Sequence, residues 1–540
     1  MSDDIWALTD FIAQHFTEVA SPPKRRSAAN SATDDNNFGP DSDMSETAAP
    51  QPNSTSSHYD VIIVGAGISG VGAAYHMQDQ APGKTFRVLE AQSDFGGTWR
   101  THRYPGVRSD SDLYTFGYRF KPWSGTPIAT APEILAYMSE VIAENDLARH
   151  IEYGVTVVSA KWSTVECVWT LEVEDVASHQ RKTLTAGFLW MCQGYYRHNA
   201  GYVPDWPGMP DFNGRIVHPQ NWPEDLDYAG KRMIVIGSGA TAATLVPAIV
   251  NEAEHVTMLQ RSPTYFTTGR NRNDLAETLR DLDIDPHWTH EIVRRSVLRE
   301  GALRTRRALE QPAQVREEIL GALNGLLGEE EVQKNFTPRY DPWRQRIAFI
   351  PDADFFDAIK SGKASVITDE IDTFVPEGIR LKSGEILEAD IVVTATGFEL
   401  NVLGDIDFFI DNASLDLSES VTYRGMMFTG VPNLVWVFGY FRASWTLRAD
   451  LIGDFVPRLL HHMDAIGVRR VEPRLRDIDA DMALSPWIDP ADFNPGYLTR
   501  GLHLMPKSGS KREWRHTQDY WSEKDEFPAI DLADPIFAYG

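Results

Sequence analysis

The chain reads VIIVGAGISG at residues 61–70 and MIVIGSGATA at residues 233–242. In each stretch an apolar run, typical of a buried strand, leads into a glycine-rich turn and then a helix-compatible segment. Such a strand–turn–helix unit places backbone N–H groups and a helix N-terminus against a pyrophosphate. Ala242 replaces a third glycine, which the motif tolerates. The two stretches predict an α/β fold with two Rossmann-like dinucleotide-binding domains; the alternative is a pair of ordinary strand–helix turns.

The strand after each glycine turn ends differently. The first ends in Glu90, and the second ends in Gln260 followed by Arg261. A carboxylate at this position accepts hydrogen bonds from ribose hydroxyls and repels a 2′-phosphate, whereas an arginine binds a 2′-phosphate with its planar fork. We therefore expect the first turn to hold an unphosphorylated dinucleotide, FAD, and the second to hold NADPH.

Composition limits the class of protein. The 540 residues suffice for two or three domains, and the formal net charge of −26 argues against a nucleic-acid partner. The two cysteines, Cys167 and Cys192, form no CxxC motif, which excludes the dithiol reductases that also pair FAD with NADPH. No run approaches the ~20 apolar residues of a transmembrane helix. The early acids Asp3, Asp4 and Asp10 disfavour a signal or transit peptide, so a cytosolic enzyme is expected.

The order of the elements predicts a domain plan. Residues 1–57 are expected to form an N-terminal extension, with a short amphipathic helix and a flexible linker rich in Ser, Ala, Asn and Asp. Residues 58–200 are expected to form the first part of the FAD domain. An NADPH domain is inserted at 201–389, with a helical cover at about 270–335. Residues 390–540 form the second part of the FAD domain, beginning with the returning strand DIVVTATG.

Several further segments match a known family. Residues 212–223 read FNGRIVHPQNWP, which resembles the FxGxxxHxxxWP fingerprint of type I Baeyer–Villiger monooxygenases. GGTW at 96–99 and RYPGVRSD at 103–110 match a second segment of that family. YDPWRQR at 340–346 and GYLTR at 496–500 look most like its bacterial subgroup of ethionamide-activating monooxygenases.

The resemblance extends from residue 58 to about residue 530 and implies a site for each nucleotide. The residues expected at FAD are Gly65, Gly67, Ser69, Gly70, Glu90, Thr98, Trp99, Arg100, Thr101, Asp110 and, through its backbone, Val157. The residues expected at NADPH are Arg108, Ser109, Asp110, Gly237, Ser238, Gly239, Ala240, Thr241, Ala242 and Ala243, with Arg261 and Ser262 at the 2′-phosphate. No metal ion is part of the expected site.

The resemblance also implies the reaction. NADPH reduces FAD, and the reduced flavin combines with O₂ to form a C4a-peroxyflavin. This peroxide attacks an apolar ketone to give an ester or lactone, and once protonated it oxidises a thioether. Arg346 is expected to approach the flavin and the nicotinamide, with Asp110 orienting its guanidinium. An arginine stays cationic and stabilises developing negative charge; the alternative for Arg346 is a surface arginine.

Three other residues keep two interpretations each. His218 either belongs to a joint that couples domain rotation to nucleotide binding or acts as a general acid or base. Trp343 and Trp445 either line an apolar substrate cavity or fill the core. Trp222 is expected to pack at the same joint as His218.

A tryptophan there also argues against the competing enzyme class, an S- or N-oxygenating flavin-containing monooxygenase without ketone activity. A competing non-enzyme class is a scaffold that senses NADPH.

Overall fold

The computed structural model of the protein describes residues 58–540. The predicted extension at residues 1–57, with its amphipathic helix, lies outside these residues. Residues 58–540 form a mixed α/β fold built on two large sheets, as the sequence predicts. None of their helices is long and apolar enough to cross a membrane.

The first sheet is organised around the strand His58–Val64, whose residues 61–63 are fully buried. This strand pairs in parallel with Phe86–Glu90 on one side and with Arg181–Met191 on the other. A strand buried on both faces reads as a continuous apolar run, which explains the run that precedes the first glycine turn. In spatial order the strands are Ala413–Ser414, Asp407–Ile410, Val155–Ser163, Val168–Asp175, Arg181–Met191, His58–Val64, Phe86–Glu90 and Ile151–Tyr153, with Leu434–Trp436 also pairing to Arg181–Met191.

The second sheet is parallel throughout. Its strands, in spatial order, are Ala364–Thr368, His255–Gln260, Arg232–Ile236, Ile391–Thr394 and Arg215–Val217. The strand Ile391–Thr394 lies inside this sheet, so the prediction that it returns the chain to the FAD domain is wrong. Its apolar run is the same as that of any buried parallel strand, and such a run does not specify which sheet it joins. The chain rejoins the first sheet at Asp407–Ile410.

Helices cover both sheets. Near the first sheet they are Ile68–Gln80, Thr98–Thr101, Leu113–Phe116, Ala131–Glu144, Trp445–Ile466, Gly496–Gly501 and Tyr520–Glu526. Ala240–Ile249 and Asp354–Lys360 pack on the second sheet. A smaller three-stranded antiparallel sheet consists of Ile371–Val375, Gly378–Leu381 and Ile386–Glu388. The remaining sheets have two strands each: Phe266–Gly269 with Ala348–Pro351, Tyr196–Gly201 with Phe398–Leu400, Thr422–Tyr423 with Met427–Phe428, Val471–Pro473 with Phe537–Tyr539, and Leu484–Ser485 with Ser508–Gly509.

The helical cover predicted at about 270–335 consists of Asp274–Asp281, Pro286–Glu310, Pro312–Leu327 and Glu329–Asn335. The last two helices pack on the second sheet through Leu323 and Val332, as expected. The long helix Pro286–Glu310 differs, because Arg294 at its buried face donates to the carbonyls of Tyr114 at 2.9 Å and Gly117 at 3.1 Å. The cover therefore also contacts the first nucleotide domain, a long-range packing that helical periodicity does not reveal.

Candidate functional site

The first glycine turn, residues Gly65–Gly70, is tightly closed. Gly65 has a φ of +99°, and its N–H donates to the carbonyl of Leu89 at 2.7 Å. A Cβ on Gly70 would lie 1.8 Å from the Gly65 oxygen. Gly67 precedes the helix Ile68–Gln80 without a capping side chain, and a Cβ placed on it would meet only Gly97, at 3.6 Å. The first N–H groups of this helix are therefore available to a pyrophosphate, which fits the predicted FAD.

Glu90 ends the neighbouring strand and is only 5% exposed. Its carboxylate accepts hydrogen bonds from the backbone N–H groups of Ala66 at 2.6 Å and Gln92 at 2.8 Å. Burial raises the pKa of the carboxyl group above its usual value, although these hydrogen bonds oppose the change. The carboxylate is thus fixed at the edge of the sheet beside the first glycine turn, where it can accept hydrogen bonds from ribose hydroxyls.

The short helix Thr98–Thr101 follows Gly97 and so begins opposite the first glycine turn. The hydroxyl of Thr98 accepts a hydrogen bond from the Tyr196 hydroxyl at 2.7 Å. Trp99 packs its ring edge-to-face with Phe116. These contacts fix the predicted FAD residues Thr98 and Trp99 beside the turn.

Three other predicted FAD residues have partners within the protein. Ser69 receives a hydrogen bond from the Trp445 indole at 2.9 Å. Arg100 is ion-paired with Asp94, and the Thr101 hydroxyl accepts from Gln92 at 3.0 Å. Val157 is buried within the strand Val155–Ser163, next to a break in its pairing register.

The second glycine turn, Gly237–Ala242, has the same backbone plan and is more open. Gly237 has a φ of +129°, and its N–H donates to the carbonyl of Leu259 at 2.8 Å. A Cβ placed on Gly239 would meet nothing within 4 Å, and no side chain caps the helix Ala240–Ile249 that follows. Residues Ala240, Thr241, Ala242 and Ala243 form the first turn of this helix. The open N-terminus fits the pyrophosphate of a second dinucleotide.

The strand beside the second turn ends in Gln260, which is buried, and is followed by Arg261, which is exposed. Gln260 is buried, and its amide donates to the carbonyl of Asn335 at 2.6 Å and to Thr368 at 2.9 Å. Arg261 and Ser262 are exposed. The exposed guanidinium of Arg261 is accessible from solution, and its contact with a 2′-phosphate stays a prediction.

The segment 103–110 lies between the two turns. Tyr104 is buried, which raises the pKa of its phenol to about 12, and it hydrogen-bonds Thr241 of the second turn. A Cβ on Gly106 would lie 2.6 Å from Ala248 on the helix after that turn. The segment is thus packed against the second nucleotide unit while its chain belongs to the first.

The last three residues of this segment have separate partners. The Arg108 guanidinium donates to Asp354 at 2.5 and 3.2 Å, an ion pair with the helix Asp354–Lys360 that packs on the second sheet. Ser109 is buried and donates to the carbonyl of Ser111 at 2.7 Å. Asp110 is ion-paired with Arg346. A contact of Arg108 with NADPH stays a prediction, and in this structure its guanidinium is engaged by a carboxylate.

Arg346 and Asp110, the predicted catalytic pair, are brought together from positions 236 residues apart. Their side chains are 41% and 35% exposed, so the pair is open on one side. The charge of Asp110 raises the pKa of Arg346 above its usual range, which keeps the guanidinium cationic. Asp110 receives its hydrogen bond from one terminal nitrogen of Arg346, and the other donors of the guanidinium can serve an oxyanion.

The loop that carries Arg346 is held by a second arginine. Arg442 is 6% exposed and donates to the carbonyl of Trp343 at 3.1 Å. The same guanidinium donates to the carboxylate of Asp492 at 2.9 Å. Arg344 also donates, at 2.7 Å, to the carbonyl of Ala491. The arginine loop is thereby fixed to the C-terminal part of the chain.

Two phenols that the sequence does not predict lie at the Arg346–Asp110 pair. Tyr195 and Tyr497 are hydrogen-bonded to each other, and both interact electrostatically with Arg346. Tyr195 also stacks on Trp445, at 5.1 Å between ring centroids. Tyr195 follows the carboxyl end of a central strand, a position where ligands bind in open α/β sheets, and this signal could have identified it. Tyr497 lies in the GYLTR segment that matches the family subgroup, but that match does not indicate its place beside Arg346.

The remaining candidates have structural partners. A Cβ on Gly201 would lie 1.9 Å from the His218 ring, and burial lowers the pKa of this imidazole. Trp222 packs on the core of the second sheet and meets Tyr228 edge-to-face. These contacts favour a joint over acid–base chemistry for His218. Within residues 58–540, no group of three or more His, Cys, Asp or Glu side chains is arranged to hold a metal ion.

Comparisons with known proteins agree with this geometry. A family model described as an NAD(P)-binding Rossmann-like domain matches residues 63–123. A second model, described as flavin-binding monooxygenase-like, matches residues 126–274.

Full-length relatives are also found. The chain is 46% identical to the FAD-containing monooxygenase EthA of Mycolicibacterium smegmatis, over 86% of this chain and 93% of that protein. It is 42% identical to the putative FAD-containing monooxygenase MymA of Mycobacterium tuberculosis, over 89% of this chain and 96% of that protein. It is 41% identical to the probable FAD-binding monooxygenase AlmA of an Acinetobacter species, again over 89% and 96%.

Solved structures share the fold. An oxidised steroid monooxygenase bound to NADP superimposes with a TM-score of 0.70 at 24% identity, over 89% of this chain and 99% of that one. A cyclohexanone monooxygenase bound to ε-caprolactone gives a TM-score of 0.67 at 19% identity, over 89% and 100%.

Proposed function

The chain belongs to the FAD-containing monooxygenases, and we propose that it uses NADPH and O₂ to convert apolar ketones to esters or lactones and also oxidises thioethers. The observation that carries this proposal is the Arg346–Asp110 ion pair, which lies with the segment 103–110 between the two nucleotide turns. A cytosolic location belongs to the same proposal.

The first glycine turn, Glu90 and the helix Thr98–Thr101 would hold FAD. The second glycine turn and Arg261 would hold NADPH. Bound FAD supplies hydride acceptance and the activation of O₂; the protein supplies position, charge and exclusion of water.

Arg346 supplies positive charge where the reaction develops negative charge. When an oxygen nucleophile adds to a ketone, the carbonyl oxygen becomes an alkoxide, and a fixed guanidinium stabilises it. Asp110 holds the guanidinium in one orientation, and Arg442 holds the loop beneath it. A preorganised donor of this type typically contributes ~10²–10³-fold in rate.

Two further observations support the ketone chemistry. The fold neighbours include a cyclohexanone monooxygenase bound to a lactone and a steroid monooxygenase bound to NADP. Trp222 stands where the S- and N-oxygenating flavin-containing monooxygenases usually place a smaller aromatic ring, as the family fingerprint implies. That rival class remains the alternative, and it predicts sulfoxide without ester.

The test compares Arg346→Ala with the wild-type enzyme. We expect the variant to accept hydride from NADPH under anaerobic conditions at a near-normal rate, because hydride transfer needs no alkoxide stabilisation. Ester formation should fall by ~10²–10³-fold, with hydrogen peroxide released in its place. Linear, cyclic and aryl ketones and one thioether are screened, with NADPH consumption, peroxide and products all measured.

Two variants control this experiment. Arg346→Lys keeps the charge and loses the planar fork, so intermediate ester yield is expected. Arg339→Ala removes an exposed arginine seven positions earlier and should leave ester yield unchanged. Normal ester turnover in Arg346→Ala would remove the assignment, and wild-type enzyme that forms sulfoxide but no ester would favour the rival class.

A further inference from the structure

Arg500 occupies a defined position near the second nucleotide turn. It lies on the short helix Gly496–Gly501, and its guanidinium carbon is 3.5 Å from the centroid of the Tyr202 ring. One of its terminal nitrogens donates to the carbonyl of Phe398 at 3.2 Å. The residue is nevertheless exposed, so its guanidinium is held in place and still accessible from solution.

A short piece of backbone connects Arg500 to the second glycine turn. A Cβ on Gly237 would lie 2.3 Å from the Ala395 oxygen, so Ala395 touches the turn directly. Two residues further on, a Cβ on Gly397 would lie 3.9 Å from a terminal nitrogen of Arg500. The guanidinium therefore stands at the same sheet edge as the second turn.

The charges around Arg500 are unbalanced. Partial burial lowers the pKa of Arg500, and the positive charge of Arg261 lowers it as well, because a second cation nearby disfavours the charged form. The neighbouring acid Glu399 is ion-paired with Arg197 at 2.8 Å. Among the ion pairs of residues 58–540, none includes Arg500 or Arg261. In a chain with a net charge of −26, two arginines outside these ion pairs and close to the second glycine turn favour a site for an anion.

We propose that Arg500 binds the 2′-phosphate of NADPH together with Arg261, so that the C-terminal segment completes the second nucleotide site. This inference rests on the proposed use of NADPH. The pyrophosphate is already served by the helix N-terminus after Gly239, and Arg261 follows the strand end where the adenine ribose binds. The remaining anionic group of NADPH is the 2′-phosphate, a dianion that two planar guanidinium groups match in charge and geometry.

The test measures binding rather than turnover. The probes are 2′,5′-ADP, which carries the 2′-phosphate, and 5′-AMP, which lacks it, titrated calorimetrically into the FAD-loaded full chain. Arg500→Ala should weaken 2′,5′-ADP by ~10–100-fold, the range expected for a charged hydrogen bond, and leave 5′-AMP unchanged. Arg261→Ala should show the same pattern, and the double variant should reduce 2′,5′-ADP to the affinity of 5′-AMP.

Further variants separate charge from packing. Arg500→Gln removes the charge but keeps a polar side chain larger than alanine, and it should lose 2′,5′-ADP affinity like the alanine variant. Arg500→Lys should retain part of the affinity. Arg87→Ala is the matched control: Arg87 also lies over a tyrosine, Tyr59 at 5.4 Å, but in the first sheet, and its loss should leave both probes unaffected.

Two outcomes would overturn the inference. Equal weakening of both probes would mean that Arg500 acts on the whole site or on the phosphate they share. Unchanged binding of 2′,5′-ADP in Arg500→Gln would mean that the residue only packs. The binding test does not depend on the proposed reaction. An enzyme that forms no ester can still show a selective loss of 2′,5′-ADP affinity in the Arg500 variants, so the two failures are distinguishable.

Discussion

The two nucleotide turns share one backbone plan and differ in how closely the protein surrounds them. At the first turn Glu90 is buried, and Gly67 faces the backbone of Gly97. At the second turn Arg261 is exposed, and a Cβ on Gly239 would meet nothing within 4 Å. A closed site retains its nucleotide through many turnovers, whereas an open site allows exchange. The difference fits a resident FAD at the first turn and an exchanging NADPH at the second.

The largest expected effect comes from the third position of each motif. A Cβ on Gly70 would lie 1.8 Å from the Gly65 oxygen, so Gly70→Ala must open the first turn. We expect purified Gly70→Ala to contain little FAD and to lose ~1–3 kcal/mol of unfolding free energy through overpacking alone. The equivalent position of the second turn is already alanine, and Ala242→Gly should cost only ~1 kcal/mol through helix propensity.

The ratio of FAD to protein and denaturant-induced unfolding check this pair. Full FAD content and wild-type stability in Gly70→Ala would contradict the tight geometry of the first turn. Loss of FAD in Ala242→Gly would show that the two turns are not independent sites.

A smaller effect is expected from the acid at the first strand end. Glu90→Gln keeps the shape of the side chain but removes the charge that accepts hydrogen bonds from Ala66 and Gln92. The same charge is available to the FAD ribose. We expect FAD to bind ~10–100-fold more weakly, the contribution of a charged hydrogen bond. The fluorescence of released FAD measures this, and Arg261→Ala should release no more FAD than wild type. Equal release by both variants would remove the distinction between the sites.

Features encoded by neighbouring residues were predictable from the sequence. The two glycine turns follow apolar strands, and the contrast between Glu90 and Arg261 is visible at the strand ends. Both turns lie where predicted, because a tight turn and its flanking strand are specified by a few adjacent residues. The two-sheet α/β architecture follows from them.

Features that depend on distant residues were not predictable in this way. The sequence does not show which sheet the strand Ile391–Thr394 joins, because its apolar run carries no information about its partners. Asp110 and Arg346 were paired only through the family resemblance, since nothing local joins residues so far apart in sequence. Tyr497 was overlooked for the same reason: its place beside Arg346 depends on the packing of the C-terminal segment.

The smallest expected effect concerns the connection between the two nucleotide regions. Arg108 lies on the segment 103–110, which connects the first glycine turn to the second nucleotide unit, and it is ion-paired with Asp354 on a helix that packs on the second sheet; the two side chains are 17% and 34% exposed. Partly exposed pairs contribute ~0.2–1 kcal/mol, so Asp354→Asn should slow anaerobic hydride transfer by at most ~5-fold and leave FAD content unchanged. The matched control is Glu224→Gln, which removes the partner of Arg103 in a far more exposed pair and should have no effect. If both variants slow hydride transfer equally, the Arg108–Asp354 pair does not specifically connect the two nucleotide regions.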